Sequence, residues 1–233
     1  MIRAIFFDWF NTLTTYHPPR EDAYAAACRD LGFEVAPGDL SRGLLLADQF
    51  YSGENGRSPL KGRTATEMAD LHTRYGQLIL QAAGLPSDRG TVLLVMEKMR
   101  GRFTDPHFAL YADVLPMLRT LKARGLIMGL ISNIDRDIRP VCRQLGLDPY
   151  LVHVVTSRDV GSEKPRPTIF LAALREAGVR AAEAVYVGDQ PDCDVAGARG
   201  VGMTPVLIDR YELFPETVDC LRLRSLEELA DHV

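Results

Sequence analysis

The chain has 233 residues, 46% of them hydrophobic, 25% charged and 8% aromatic, the make-up of a globular domain or two with a sizeable core. Its 27 Lys and Arg against 31 Asp and Glu leave a net charge of −4, which argues against an extended nucleic-acid-binding face. No apolar run reaches the ~18–20 residues of a membrane span, and the four cysteines form no C-x-x-C pair, so neither a disulfide framework nor a zinc site is expected and the cytoplasm is the expected compartment.

In chain order, the first predicted element is a strand over Ile2 to Phe7. It stops at Asp8, too early for a signal-peptide core. From about Tyr16 to Asp105 the pattern is helical. Tyr24, Ala27, Cys28 and Leu31 form one stripe, and Met68, Leu71, Tyr75, Leu78, Ile79 and Ala82 another. Thr64 and Glu67 form a capping box ahead of the second stripe. Cys28, inside an apolar stripe, reads as a small core residue. Breaks at Pro37-Gly38, Gly53 to Pro59, Leu85-Pro86 and Thr104-Asp105-Pro106 separate the helices.

Beyond that block, short apolar runs end in polar residues. Leu126 to Ile131 ends at Ser132, Leu151 to Val155 at Thr156, Ala184 to Val187 at Gly188-Asp189, and Val206 to Ile208 at Asp209. Helical spacing lies between them, as in Phe170, Ala173, Leu174 and Ala177, and closes the chain at Leu226, Leu229, Ala230 and Val233 behind a Ser225/Glu228 capping box. Strands without polar alternation, separated by helices, predict an α/β fold: a doubly wound parallel sheet covered on both faces. The expected domains are a core, 1–15 and 106–233, interrupted by a mostly helical insertion, 16–105.

Open parallel sheets bind ligands beyond the carboxyl ends of their strands. Those ends carry Asp8, Ser132-Asn133 and Asp189, and Lys164 follows the third strand of the core. Each alone could be structural: Ser132 could cap a helix and Lys164 could lie on a solvated loop. Their joint placement points to one crevice with a nucleophile, a hydroxyl, a cation and an acidic cluster.

These residues resemble the motifs of the haloacid dehalogenase (HAD) superfamily, in family order over roughly 1–15 and 106–233. Phe6-Phe7-Asp8-Trp9-Phe10-Asn11-Thr12-Leu13 matches the first motif, Leu130-Ile131-Ser132-Asn133 the second, and Lys164 before Pro165 and Pro167 the third. Val187-Gly188-Asp189-Gln190-Pro191-Asp192-Cys193-Asp194 matches the fourth, and the insertion stands where the family places its cap. The resemblance implies a Rossmann-like core with a helical cap, a small anionic substrate, and Mg²⁺. It also implies roles. Asp8 would be the nucleophile, with Thr12, Ser132 and Lys164 completing the catalytic set. Phe10, Ser132, Asn133 and Lys164 would bind substrate, and Asp8, the Phe10 carbonyl, Asp189 and Asp194 would bind the metal. A hard cation with oxygen ligands suits such carboxylates. Asn11 stands where the family has Gly, and Asn is the residue that best tolerates the positive φ of that turn.

Phe10 departs from the pattern: phosphatases of the family place a second Asp there as general acid and base. Phenylalanine cannot move a proton, and such help is worth roughly 10²–10⁴ in rate. Four readings follow. A phosphatase could act on a substrate whose leaving group needs little protonation, such as an acyl or aryl phosphate, or take its proton from His17 or His72, although a histidine on a helix is more often a surface or core residue. A dehalogenase would expel halide without a proton, but Asp189 and Pro191 stand where dehalogenases use Ser and Asn. A phosphonatase would use a cap lysine, Lys61 or Lys98, although Lys61 also reads as a solvated loop charge. A catalytically silent chain would bind a phospho-ligand or a partner protein. A flavodoxin-like receiver fits poorly, being ~120 residues long. Arg57, Lys61 and Arg63 could attract an anion or line a solvated face, and Arg199 is expected to make surface or helix-end contacts. Strand alternation assigns Trp9 to the core and Phe10 to the site.

Overall fold

The structure, a computed structural model, describes residues 1–58, 60, 62–214 and 219–233. It divides into two compact units, a core unit of Met1–Thr15 with Phe108–Val233 and a helical unit of Tyr16–His107. The chain passes between them within β2 (Thr14–His17) and β3 (His107–Leu110), two short strands that form a sheet of their own. No helix among the described residues is long and apolar enough to cross a membrane.

The core unit holds a six-stranded sheet in the order β5-β4-β1-β6-β7-β8, with every neighbouring pair parallel. Its strands are β1 (Ala4–Phe7), β4 (Ile127–Ser132), β5 (Leu151–Thr156), β6 (Ala184–Gly188), β7 (Thr204–Ile208) and β8 (Leu221–Leu223). The expected α/β class and parallel sheet are therefore present. Winding runs outward from β1 through β4 to β5, then returns to β6 on the other side of β1 and continues outward. The switch point falls between β1 and β6, where open sheets open a crevice.

Register decides what meets there. Phe7 pairs with Leu130 on one side and Val187 on the other. Asp8, Ser132 and Asp189 consequently emerge within about one residue of the same level on three adjacent strands. Alternation along β1 sends Ala4 and Phe6 to one face. There they pack with Ile169, Phe170, Ala173 and Leu174 of α8 (Pro167–Ala177) and with Ala198 of α9 (Ala196–Gly200). α5 (Val114–Ala123) buries Val114, Met117, Leu118 and Leu121. The remaining helices of the unit, α6 (Arg139–Gln144) and α7 (Ser157–Val160), are short.

The closing helical pattern is a 3₁₀ segment, Leu226–Asp231, rather than an α-helix. Its predicted capping box is present: Ser225 accepts from the Glu227 amide, and Glu228 accepts from the Ser225 amide. A six-residue run cannot propagate far, and tightening to 3₁₀ serves such short ends.

The helical unit contains α1 (Arg20–Arg29), α2 (Pro37–Arg57), α3 (Ala65–Ala82) and α4 (Arg89–Arg102). The first predicted stripe and the middle of the second enter its core: Tyr24, Ala27 and Cys28 from α1 and Ile79 from α3 are buried, with Leu31, Tyr75 and Leu78 packed against them, while Ala82 is exposed. The Thr64–Glu67 capping box starts α3 as expected. Where α2 meets α3 the backbones touch, because a Cβ on Gly43 would lie 2.6 Å from the Ile79 carbonyl oxygen. Arg20 is buried against the Asp48 carboxylate at 2.6 Å, and both bond the Tyr75 hydroxyl.

Two stability outcomes follow. Gly43→Ala gains helix propensity, about 1 kcal/mol, yet forces α2 off the α3 backbone, an overpacking cost of about 1–3 kcal/mol. Its unfolding midpoint in urea should fall, and a rise would contradict the close approach. In the core unit, the Asp113 carboxylate accepts four hydrogen bonds, two from Arg210 and one each from the Ser225 hydroxyl and the Leu226 amide. Despite its burial, these donors hold its carboxyl below the usual 3.8. Asp113→Asn should cost about 3 kcal/mol at pH 7. Because the folded pKa is depressed, this stability is present above pH 3.8 and is lost as pH falls through the folded value. Denaturant titrations of both proteins at pH 7 and pH 3 check it; an unchanged difference would contradict it.

Candidate active site

The site begins with the turn that follows β1. The Trp9 carbonyl accepts from the Leu13 amide, the Thr14 amide and the Thr14 hydroxyl, and the Asn11 amide donates to the Thr14 carbonyl at 2.7 Å. Closing so tight a loop needs one residue in the left-handed region. That residue is Asn11, with φ 61°, as its amide side chain led us to expect. The Asp8 amide donates to the Val187 carbonyl at 2.8 Å, tying the head of the turn to β6.

Lys164 is the centre of the cluster. Its buried ammonium lies 2.5 Å from Asp8 Oδ1, 2.8 Å from Asp194 Oδ1 and 2.9 Å from the Tyr186 hydroxyl. Asn133 fixes its main chain from both sides, accepting from the Lys164 amide at 2.6 Å and donating to the Lys164 carbonyl at 3.0 Å. The side chain expected to bind substrate is thus occupied in holding Lys164 in place. Asp194 reaches the cluster through a single π-helical turn, Pro191–Val195, in which its second oxygen accepts from the Gln190 amide. Such turns insert one extra residue into a helix and often mark functional sites. Gly188 makes room for it, since a Cβ there would lie 2.3 Å from the Asp194 carboxyl carbon.

Asp8, Asp189 and Asp194, all buried, bring one carboxylate oxygen each within 4.8 Å of one another. Three carboxylates and one Lys164 ammonium carry a formal charge of −2 in a buried place. Burial pushes the Asp8 carboxyl up to about 6, against the pull of the Lys164 ammonium and with the added push of Asp194. Burial also disfavours the Lys164 charge, but Asp194 and Asp8 outweigh it and hold the ammonium protonated. An all-oxygen donor set with a charge deficit of two fits a hard divalent cation such as Mg²⁺.

Of the other expected site residues, Ser132 is buried at the end of β4. Thr12 is fully buried, and its hydroxyl has no hydrogen-bond partner among the described residues. Trp9 is core, as expected, and Phe10 is half-buried. Both rings meet the ring of Phe108, at 5.3 and 6.4 Å. Strand alternation ends with β1 at Phe7, and these two residues already belong to the turn. Asp192 is exposed and stands apart from the three clustered carboxylates. Arg199 donates to the Asp219 carbonyl, a surface contact as expected.

Tyr186 was not among the expected residues. Its hydroxyl accepts from the Lys164 ammonium and donates to Asp194 Oδ1 at 3.0 Å, with the Ile131 carbonyl 3.2 Å away. The signal was a tyrosine inside an otherwise aliphatic buried strand, since a buried phenol needs a partner.

Within the helical unit, His72 is exposed and stacked on Tyr51, and the exposed His17 faces His107 at 5.1 Å. Lys98 lies 3.9 Å from Asp30 at the surface, not in the desolvated setting that makes a lysine a Schiff-base former. Arg63 is folded back onto Glu54 and the Ser58 carbonyl, and Arg57 pairs with Glu54. Lys61 lies outside the described residues.

A parallel sheet whose strand ends gather a lysine and three buried carboxylates, one of them the strand-turn Asp8, defines a hydrolase of the HAD class. The family model of haloacid dehalogenase-like hydrolases matches residues 2–202, and the chain belongs to that family. It is 31% identical to the glyceraldehyde 3-phosphate phosphatase of Methanopyrus kandleri, over 90% of this chain and 85% of that protein. It is 30% identical to the ribulose-1,5-bisphosphate 5-phosphatase of Halopiger xanaduensis, over 100% and 95%. Among solved structures, a 2-haloacid dehalogenase from Pseudomonas syringae pv. tomato shares 30% identity and a TM-score of 0.56, over 99% of this chain and 97% of that one.

The charge balance of the cluster is open to a direct test. Lys164→Met leaves Asp8 and Asp194 without their shared cation. The Asp8 carboxyl should then titrate above about 6, followed by ¹³C NMR, and stability should fall by about 3–5 kcal/mol. An Asp8 titration at or below that point would contradict the arrangement.

Proposed function

We propose that the chain is a Mg²⁺-dependent phosphatase acting on a small phosphorylated metabolite, with Asp8 as nucleophile. The observation that carries this reading is the convergence of Asp8, Asp189 and Asp194 on one buried point beside Lys164. Halide displacement calls for no cation, whereas the gathered oxygens of Asp8, Asp189 and Asp194 offer one a place. The two phosphatase relatives, named for phosphorylated sugars, support a substrate of that size and charge. The domain assignment that goes with it is a hydrolase core, 1–15 and 106–233, and a helical cap, 16–105.

In the first step an Asp8 oxygen attacks phosphorus, and the bond from phosphorus to the leaving oxygen breaks with its electron pair going to that oxygen. In the second, water attacks the phosphorus of the aspartyl phosphate and releases inorganic phosphate and Asp8. Lys164 holds Asp8 aimed and offsets charge on the phosphoryl oxygens. Ser132 and Thr12 are assigned to the remaining phosphoryl contacts. Asp8, Asp189, Asp194 and the Phe10 carbonyl would hold Mg²⁺, which when bound neutralises phosphoryl charge. Phe10 has no proton to give, so substrates whose leaving group departs as a stable anion, acyl and aryl phosphates, should be preferred to alkyl esters.

Asp8→Asn should abolish turnover of acetyl phosphate and p-nitrophenyl phosphate while leaving the circular dichroism spectrum intact, and chelation of Mg²⁺ should do the same to the wild type. Phe10→Asp should raise hydrolysis of alkyl esters relative to aryl ones, within the roughly 10²–10⁴ that acid–base help is worth. Undiminished turnover in Asp8→Asn, or chelator-insensitive release of halide from 2-haloacids without phosphatase activity, would overturn the proposal.

A further inference from the structure

Nearly two hundred residues after the first motif of the core unit, a charged side chain returns to it. Arg210 lies just past β7, and its guanidinium donates to the Thr12 carbonyl at 2.8 Å. The same group is gripped by both oxygens of Asp113, at 2.6 and 3.0 Å, and lies 4.0 Å over the ring of Tyr111. Arg210 and Asp113 are each about one-tenth exposed. Asp113 is fixed in turn by the Ser225 hydroxyl and the Leu226 amide at the start of the closing 3₁₀ segment. The Tyr111 amide donates to the Leu13 carbonyl, so the next residue of the turn is held from the same side.

We propose that Arg210 is a positioning residue for the nucleophile turn, oriented by Asp113, and that it acts through the Thr12 carbonyl without touching substrate. Four hydrogen bonds inside the turn end on the Trp9 and Thr14 carbonyls. They close the loop, but they do not say how far its far side swings relative to β6, where Asp189 and Asp194 stand. The Arg210–Thr12 bond does, because Arg210 is anchored to β7, which is paired with β6 along its length. A planar guanidinium gripped through Nη1 and Nη2 by a bidentate carboxylate has the direction of its second Nη2 hydrogen, the one given to Thr12, fixed by the plane, which makes it a rigid strut where a lysine would be a flexible one. Shifts of about 1 Å in a reacting group lower rate by as much as 10²-fold, so a loose turn should show in kcat before it shows in binding.

This inference rests on the assignment of Asp8 as nucleophile for its kinetic arm but not for its structural one. The structural arm is hydrogen–deuterium exchange of the full chain, read in the peptides spanning 8–15. Arg210→Ala should speed exchange of the Asn11, Leu13 and Thr14 amides about tenfold or more, the worth of a lost hydrogen bond to a charged group. Asp113→Asn, which frees the guanidinium, should do so by a smaller factor. The kinetic arm uses p-nitrophenyl phosphate with Mg²⁺, well below the unfolding midpoint of each variant. There kcat should fall roughly 10–100-fold with KM within about threefold of the wild type, and Arg210→Lys should recover part of the loss. A residue that only stabilised the fold would lower the midpoint and leave kcat per folded molecule and exchange in 8–15 unchanged, and that result overturns the proposal. If the wild type turns over no phosphate compound, the functional assignment fails, and the exchange data still decide whether Arg210 holds the turn.

Discussion

Lys164 lies within hydrogen-bond reach of both Asp8 and Asp194, and much of the core unit is arranged to keep those buried charges together. Burial works against the charge on Asp8 and on Lys164 alike, and the pairing of the ammonium with Asp8 and Asp194 opposes that cost. The supports are correspondingly numerous. Asn133 clamps the lysine backbone from two sides, Tyr186 bonds both Lys164 and Asp194, and a π-helical turn carries Asp194 back over Gly188. With Asp189 added, the cluster still lacks positive charge, and that deficit connects the packing of the site to the chemistry proposed for it.

A cluster of this kind can be assembled only where the sheet permits it. Parallel strands leave all their carboxyl ends on one edge, and the register of β1 with β4 and β6 places Asp8, Ser132 and Asp189 at nearly the same height. The turn after β1 must then reverse at once, which calls for the left-handed conformation that Asn11 supplies. Its flank is met by Arg210 from just past the end of β7. Residues distant in sequence, 8, 113, 164, 189, 194 and 210, thus depend on one another for position.

The sheet was legible because its strands are buried on both faces and read as unbroken apolar runs, and the helices because their stripes and capping boxes obey local rules. β8 escaped notice: three residues with Arg222 in the middle carry no such signature, and only pairing with β7 makes them a strand. The residues of the cluster were legible by type and order, but their division of labour was not. That Asn133 serves Lys164, that Asp192 stands outside, and that Tyr186 stands inside all depend on side-chain geometry across 22 to 31 residues of intervening chain. Trp9 and Phe10 show the same limit in miniature, since alternation holds only as far as the strand does.

Phe10 is where local pattern and chemistry disagree, and it narrows what the site can do. Its ring packs on Phe108 and supplies no proton, so in the proposed reaction the burden falls on Asp8 and on the stability of the departing group. The central claim is that Asp8 becomes phosphorylated. Acid-quenched single turnover of acetyl phosphate, followed by peptide mapping, tests it directly. The account predicts a phosphorylated peptide spanning Asp8 that vanishes on base treatment, whereas turnover that leaves Asp8 unmodified at every quench time, or an alkyl ester at Asp8 formed from a 2-haloacid, would contradict it.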